Sequence, residues 1–109
     1  MKAWGDLICP PISGRSVKPR TEGYTMVIDK GLGLHATQDL MAVAADWIDD
    51  IKLTFGTSCF YAEELLRQKI AVISGAGVDV MPGGTYLEIA VWQGVLDQYL
   101  RRTKELGFT

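Results

Sequence analysis

Segments typical of β-strands alternate along this chain with segments typical of α-helices, and this alternation restricts the possible folds more than any other feature. Runs rich in β-branched and aromatic residues lie at 24–28, 47–53 and 78–81. Apolar residues at helical spacing follow them over 36–45, 61–74, 85–92 and 95–106. This order predicts parallel strands in the order 1-2-3, joined by right-handed crossovers, with the helices on one face. Phe108 and Thr109 are expected to begin a fourth strand.

The alternation leaves two architectures open. One is an open sheet with helices on both faces, and the other is a closed (β/α)8 barrel, which needs roughly 200 residues or more. The chain has 109 residues, enough for one domain and for fewer than half of the units of such a barrel. Residues 1–23 are predicted to form an irregular first segment, because three prolines there interrupt any continuous helix.

Composition and single-residue counts exclude several classes of function. A net charge of −2 argues against nucleic acid or an anionic membrane surface as the main partner. The sequence contains no run of 18 apolar residues, so no membrane-spanning helix is predicted. The first residues contain no apolar stretch long enough for a signal peptide. Cys9 and Cys59 lack a metal-binding spacing and are expected to be reduced thiols in the cytoplasm. His35 is the sole histidine, so any metal would be held by oxygen ligands.

Charged residues mark the carboxyl ends of the first two predicted strands. Ligands of parallel α/β proteins bind at that end, so Asp29 and Lys30 are functional candidates, with a surface ion pair as the alternative. Side-chain alternation in the second strand puts Ile48, Asp50 and Lys52 on one face, opposite the apolar side chains that should face the helices. Lys52 would then point into a barrel as a Schiff-base nucleophile, a general acid or an anion clamp, and the alternative is an internal ion pair with Asp50.

Two other segments have the character of anion sites. Arg15, Lys18 and Arg20 place three positive charges within six residues, which indicates either an anion-binding loop or a solvated basic loop. The segment Gly56–Ser58 precedes a predicted helix. It indicates either a cradle for phosphate or sulfonate, built from free backbone N–H groups, or an ordinary helix cap.

A Pro-Gly-Gly turn follows the third predicted strand and leads into a short helix. Gly83 and Gly84 allow a ligand to approach the backbone closely, or they form only a tight turn. Glu88 is a candidate carboxylate ligand for a divalent metal, or a solvated helix residue. In a barrel every loop after a strand opens on the same face, so these residues would meet Lys30 and Lys52 at one mouth.

Four motifs in this order and spacing resemble the phosphosulfolactate synthase family. They are KPRTEGYTMVIDKGLG from Lys18, WIDDIKLTFGTS from Trp47, VMPGGTYLEIA from Val80 and KELGF from Lys104. The resemblance runs from about Arg15 to Phe108, and its specificity comes from the four motifs together. Two departures lie near Lys52: Thr54-Phe55 stands where the family more often has Gly-Trp, and Asp50 stands where an aromatic residue is commoner.

The resemblance implies a fold and an activity. The fold is a (β/α)8 TIM barrel, of which residues 1–109 would form a single partial α/β domain that is cut short after the third βα unit. The activity is the magnesium-dependent addition of sulfite to phosphoenolpyruvate. The product is phosphosulfolactate, on the way to coenzyme M or sulfolactate.

Roles for the motif residues follow from the chemistry of these substrates. Lys30 or Lys52 would protonate the carbon that sulfite does not attack. Mg²⁺ held by Asp29 and Glu88 would bind the substrate carboxylate and stabilise an enediolate-like intermediate. The anionic substrates are expected on Arg15, Lys18, Arg20, Gly56, Thr57, Ser58, Gly83, Gly84 and Thr85.

Two other functions remain open. One is a non-catalytic, stress-associated relative with the same fold, which would not consume phosphoenolpyruvate. The other is a lysine-dependent aldolase-type barrel enzyme, in which borohydride would trap a Schiff base on Lys52. Three βα units expose strand edges and apolar surface, so we also expect self-association into a homo-oligomer and no activity from the isolated chain.

Overall fold

The computed structural model describes residues 2–12 and 14–109, and these form three β-strands and four α-helices. The strands are β1 (Met26–Asp29), β2 (Asp50–Leu53) and β3 (Asp79–Met81). The helices are α1 (Leu34–Ala44), α2 (Glu63–Gly75), α3 (Gly84–Trp92) and α4 (Leu96–Leu106). Single turns of 3-10 helix, Ala45–Trp47 and Thr57–Phe60, precede β2 and α2. The predicted alternation of strands and helices is confirmed.

The three strands form one parallel sheet in the order β1-β2-β3. Val27 lies opposite Ile51, and Ile51 lies opposite Val80. The crossovers between parallel neighbours contain α1 and α2, as such connections require. The backbone N–H of Thr109 donates to the carbonyl of Val80 at 3.0 Å, so the last residue lies beside β3, where the fourth strand was predicted to begin.

The apolar core lies on one face of this sheet, between the strands and the helices. Ile51, Leu53 and Val80 are at most 1% exposed. The helices contribute Met41 from α1 and Leu66, Ile70 and Ile73 from α2. On the opposite face the side chains of Met26 and Ile28 are about half exposed. The core therefore has helices on one side only, as the sequence predicts.

The start of β2 differs from the prediction. The carbonyl of Thr25 accepts hydrogen bonds from the N–H groups of both Asp49 and Asp50, so two consecutive residues oppose one residue of the neighbouring chain segment. Such an arrangement interrupts side-chain alternation in the manner of a β-bulge. Ile48 is consequently buried in the core instead of sharing the face of Lys52, and that part of the prediction is wrong.

The first segment follows the amino edge of the sheet and, in its described part, contains no helix or strand, as predicted. The guanidinium of Arg20 donates to the Asp49 carboxylate and to the Asp46 carbonyl, and the ammonium of Lys18 donates to the Gly77 carbonyl. All three acceptors precede a strand. Met1 and Ser13 of this segment lie outside the described residues. Within residues 2–12 and 14–109, no helix is both long and apolar enough to cross a bilayer.

Candidate anion site at the carboxyl edge of the sheet

The strands end together at one edge of the sheet, because they are parallel and adjacent. Lys30 follows β1 directly, Gly56 lies in the loop after β2, and Gly83 lies between β3 and α3. In the register of the sheet, Lys52 lies opposite Ile28 on one side and Met81 on the other. The structure thus gathers these predicted residues at the edge where parallel sheets bind ligands.

Lys52 and Gly83 form the best-defined corner of this edge. Gly83 has φ 81° and ψ 173°, a backbone conformation that only glycine adopts readily. A Cβ atom at Gly83 would lie 3.2 Å from Cε of Lys52, so the half-buried lysine side chain runs directly along this glycine. The interpretation of Gly83 as a point where a ligand approaches the backbone stays a prediction, and the close neighbour that the structure places there is Lys52.

The N-terminus of α3 adds a second source of positive potential at the same corner. Gly83 is the N-cap residue, Gly84 and Thr85 are the first two helical residues, and no side chain caps them. The first N–H groups of a helix lack intrahelical acceptors and carry the positive end of the helix dipole. With the Lys52 ammonium beside them, these N–H groups form a corner suited to an oxyanion.

The loop after β2 packs against the start of α3. Gly56 has φ 72°, and a Cβ atom there would lie 3.7 Å from the ring of Tyr86. Ser58 is buried, and the buried Thr57 hydroxyl has no hydrogen-bond partner among the described residues. This contact brings the Gly56–Ser58 segment next to the Gly83-Gly84 turn.

The helix predicted over 61–74 is present, and a single 3-10 turn separates it from Gly56. Thr57 and Ser58 belong to this turn, in which the N–H of Cys59 donates to the carbonyl of Gly56. Helix α2 begins only at Glu63. The free N–H groups at the start of α2 therefore do not belong to Gly56–Ser58, and the helix N-terminus beside Lys52 is that of α3.

Asp29 is engaged inside the protein. Its carboxylate is buried, and Oδ1 accepts the backbone N–H groups of Gly31 and Leu32 at 2.8 Å each. Its Oδ2 lies 2.6 Å from Nζ of Lys69, as an ion pair outside good hydrogen-bond angles. The assignment of Asp29 to a metal stays a prediction, and this structure gives both of its oxygens other partners. Lys30, the next residue, is exposed.

Glu88 and Thr85 are exposed on the first turns of α3. Among residues 2–12 and 14–109, no three histidine, cysteine, aspartate or glutamate side chains are grouped so that they could hold a metal ion. Glu88 is thus a single exposed carboxylate near this edge, and its assignment to Mg²⁺ stays a prediction.

The predicted basic cluster lies at the other edge of the sheet. Arg20 and Asp49 form a buried ion pair with an N–O distance of 2.8 Å, next to the start of β2. The guanidinium of Arg15 lies 5.1 Å from the ring centre of Trp47, and Lys18 donates to a carbonyl that precedes β3. About 10 Å of strand separates the level of Asp49 from that of Lys52. The assignment of Arg15, Lys18 and Arg20 to substrate stays a prediction, and the structure does not bring them to the corner of Lys52.

Asp50 lies close to an acidic residue and forms no ion pair with Lys52 among the described residues. It lies opposite Asp79 in the sheet. Burial, and then the charge of Asp79, raise the pKa of Asp50 above its usual value. The alternative interpretation of Lys52 as a partner of Asp50 is therefore not supported.

Lys69 and Tyr61 are the polar residues at this edge whose contacts sequence reasoning missed. Lys69 stands among the apolar residues of α2, its side chain is fully buried, and its ammonium contacts the loop after β1. The Tyr61 hydroxyl donates to the carbonyl of Leu32 at 2.9 Å. A lysine at a core position of the helical repeat was the available signal, because a buried ammonium requires a partner.

A parallel sheet of consecutive βα units, with helices on one face and a basic corner at the carboxyl edge, is the arrangement found in the N-terminal part of a (β/α)8 barrel. Residues 13–109 match the family described as (2R)-phospho-3-sulfolactate synthase (ComA). The chain belongs to the phosphosulfolactate synthase family, and the resemblance inferred from its motifs is confirmed.

Three curated relatives carry the name phosphosulfolactate synthase. The protein of Methanothermobacter thermautotrophicus is 37% identical over 94% of this chain, and that of Methanocaldococcus jannaschii is 37% identical over 79%. The protein of Bacillus subtilis is 33% identical over 85% of this chain. The matches cover 39%, 34% and 36% of these relatives, so the chain spans less than half of their length.

Proposed function

We propose that this chain contributes the Lys52 corner to the active site of a lyase that joins sulfite to phosphoenolpyruvate. The observation that carries the proposal is the contact of the Lys52 side chain with Gly83 at the uncapped N-terminus of α3. Family membership supports the general class of reaction. Both substrates are anions, so a corner that combines an ammonium with free N–H groups suits either of them.

The bond changes of the proposed reaction are simple. The sulfur of sulfite uses its lone pair to form a bond with the methylene carbon of phosphoenolpyruvate, and the electrons of the carbon–carbon double bond move to the carbon that bears the phosphate. The adjacent carboxylate delocalises this charge. A proton from an ammonium group then completes the product, and no group leaves.

Two lysines at this edge are the candidates for the proton donor and for charge stabilisation. Lys52 is half-buried beside the α3 N-terminus, where it would neutralise developing charge and hold its proton close to the substrate. Lys30 is exposed beside the neighbouring strand end and would serve the second anion. The backbone N–H groups of Gly84 and Thr85 would orient phosphate or sulfonate oxygens.

Magnesium remains part of the proposal only through the family resemblance. When bound, Mg²⁺ would supply a Lewis acid for the substrate carboxylate. Glu88 is the exposed carboxylate near the corner, and the two oxygens of Asp29 are engaged elsewhere. No step described above therefore passes through the metal.

Titration of the chain with phosphoenolpyruvate, followed by backbone amide NMR shifts, tests the corner directly. We expect saturable shifts of Gly84 and Thr85, and Lys52→Met should weaken binding by roughly 10-fold or more, because a charge-assisted hydrogen bond is lost. Lys104→Met is the matched control, because Lys104 is exposed in the last turn of α4. Equal affinity of the Lys52→Met variant and the control would refute the site.

Borohydride reduction separates this proposal from an aldolase-type mechanism. The chain is incubated with a small keto acid, reduced, digested and examined by mass spectrometry for an adduct on Lys52. We expect no adduct, since the proposed chemistry uses the ammonium as an acid and not the amine as a nucleophile. A stoichiometric adduct on Lys52 would favour the aldolase.

A further inference from the structure

We propose that Lys69 is a positioning residue that sets the shape of the loop after β1 and thereby the place of Lys30. Lys69 belongs to α2, the helix after β2, and its side chain is 0% exposed. Its ammonium group crosses to the preceding βα unit. The loop geometry stands by itself, whereas its importance for chemistry rests on the proposed function.

Every polar contact of Lys69 serves the loop after β1. Its Nζ lies 2.6 Å from Oδ2 of Asp29 and donates to the carbonyl of Leu32. It also donates to the Tyr61 hydroxyl at 3.0 Å, and that hydroxyl donates to the same Leu32 carbonyl. The ammonium is therefore the centre of a small network whose outer members hold both ends of the segment 29–32.

Asp29 closes the loop from its other oxygen. Its Oδ1 accepts the N–H groups of Gly31 and Leu32, which is an Asx-type turn. Gly31 has φ 132°, a conformation that side-chain-bearing residues rarely adopt. The carboxylate thus folds the backbone over itself, with Lys30 at the outside of the turn, and Lys69 holds the carboxylate.

The energetics favour a positioning role over a contribution to stability. Burying an ammonium costs several kcal/mol, and the attraction of its partner does little more than offset that cost. Apolar replacements of buried ion pairs are often neutral or stabilising. Such a pair has little net effect on stability. Its ammonium contacts the loop after β1 directly and, through the Tyr61 hydroxyl, a second time, so its main effect is on that loop.

Hydrogen exchange of single amides tests this proposal without requiring turnover. The double variant Asp29→Asn/Lys69→Met removes both charges, so no buried charge is left alone. We expect the protection of the Gly31 and Leu32 amides to fall by about 10-fold or more, and by more than in Asp29→Asn alone, where the Lys69 ammonium still holds the Leu32 carbonyl. The protection of Ile73 in α2 should stay within about twofold, and the urea midpoint should be unchanged or higher.

Arg67→Met is the matched control, because Arg67 lies on the same helix and forms an exposed ion pair with Glu63. It should leave Gly31 and Leu32 as protected as in the parent chain. Unchanged protection of these two amides in the double variant would overturn the proposal. So would an equal loss at Ile73 with a lower urea midpoint, since that is the behaviour of a purely structural pair. Failure of the phosphoenolpyruvate titration would count against the lyase and leave this loop result intact.

Discussion

At the scale of single residues, the Asp49 carboxylate is held by a buried ion pair at the amino edge of the sheet. Its carboxylate accepts from the Arg20 guanidinium and from the Thr25 backbone N–H, both at 2.8 Å. Burial acts to raise the pKa of Asp49, but the Thr25 hydrogen bond and the Arg20 charge outweigh it and lower the pKa below its usual value. The charged form is thus favoured in the folded state.

The sign of this shift fixes the pH dependence that Asp49 adds to stability. A lowered pKa stabilises the folded chain above the ordinary aspartate pKa of about 3.9, and this contribution is lost as the pH falls through the folded-state value. Asp49→Asn should therefore flatten the acid limb of urea midpoints measured from pH 7 to pH 2.5. Asp39→Asn, at an exposed position of α1, is the control. If the acid limb of the Asp49→Asn variant is as steep as that of the parent chain, the lowered pKa of Asp49 does not contribute to the pH dependence of stability.

The pKa of Asp50 is shifted in the opposite direction from that of Asp49. Burial and the neighbouring Asp79 raise its pKa, so its charged form is disfavoured by folding, and its destabilising effect grows as the pH rises through the folded-state value. Asp50→Asn should raise the urea midpoint at pH 7. It should leave the midpoint nearly unchanged at pH 3, where the aspartate of the parent chain is protonated and both side chains are uncharged. The same change measured at both pH values would show that charge is not the cause.

At the scale of elements, the junction between β3 and α3 depends on one glycine. The φ and ψ angles of Gly83 lie in a region that costs other residues about 1–3 kcal/mol, and the lysine stem leaves little space for a methyl group. The same backbone turn starts α3 next to the Lys52 side chain. A change in the conformation of this turn would therefore also move the candidate site.

Gly83→Ala should lower stability by about 1–3 kcal/mol and displace Lys52, so that phosphoenolpyruvate binding weakens as well. Gly75→Ala is the control, because Gly75 ends α2 with ordinary backbone angles and open space around it. That control should be neutral or stabilising by up to about 1 kcal/mol. Urea unfolding and the amide titration measure the two effects, and a Gly83→Ala chain with unaltered binding would contradict the close contact with Lys52.

At the scale of the whole molecule, the open face of the sheet decides how the described residues behave. Met26 and Ile28 are half exposed there, and Tyr24 just before β1 is more exposed still. The outer edge of β1 has no strand partner among the described residues. Apolar surface beside an unpaired strand edge favours association.

The isolated chain of 109 residues is therefore expected to self-associate and to have no lyase activity as a monomer. Lys52 is only half-buried, so water would screen the charges that the reaction needs. Sedimentation velocity and an assay of phosphoenolpyruvate consumption with sulfite and Mg²⁺ measure the two expectations. A monomer that turns over would refute the prediction, whereas turnover confined to an oligomer would support assembly of a composite site.

The sequence by itself was sufficient for the order of strands and helices and for their parallel arrangement. These features depend on local periodicity and on glycine conformations, which neighbouring residues determine. The exact start of β2 was not accessible in this way. The doubled hydrogen bond to Thr25 that moves Ile48 into the core requires a partner strand.

Only the tertiary structure decided which distant charges meet. Arg20, a candidate for anion binding, pairs with Asp49 at the amino edge of the sheet, and Asp29, a candidate metal ligand, pairs with Lys69 from the next unit. The physical reason is that a buried charge requires a partner, while nothing in the local sequence states which partner lies within reach. That choice is made by the packing of one βα unit against the next.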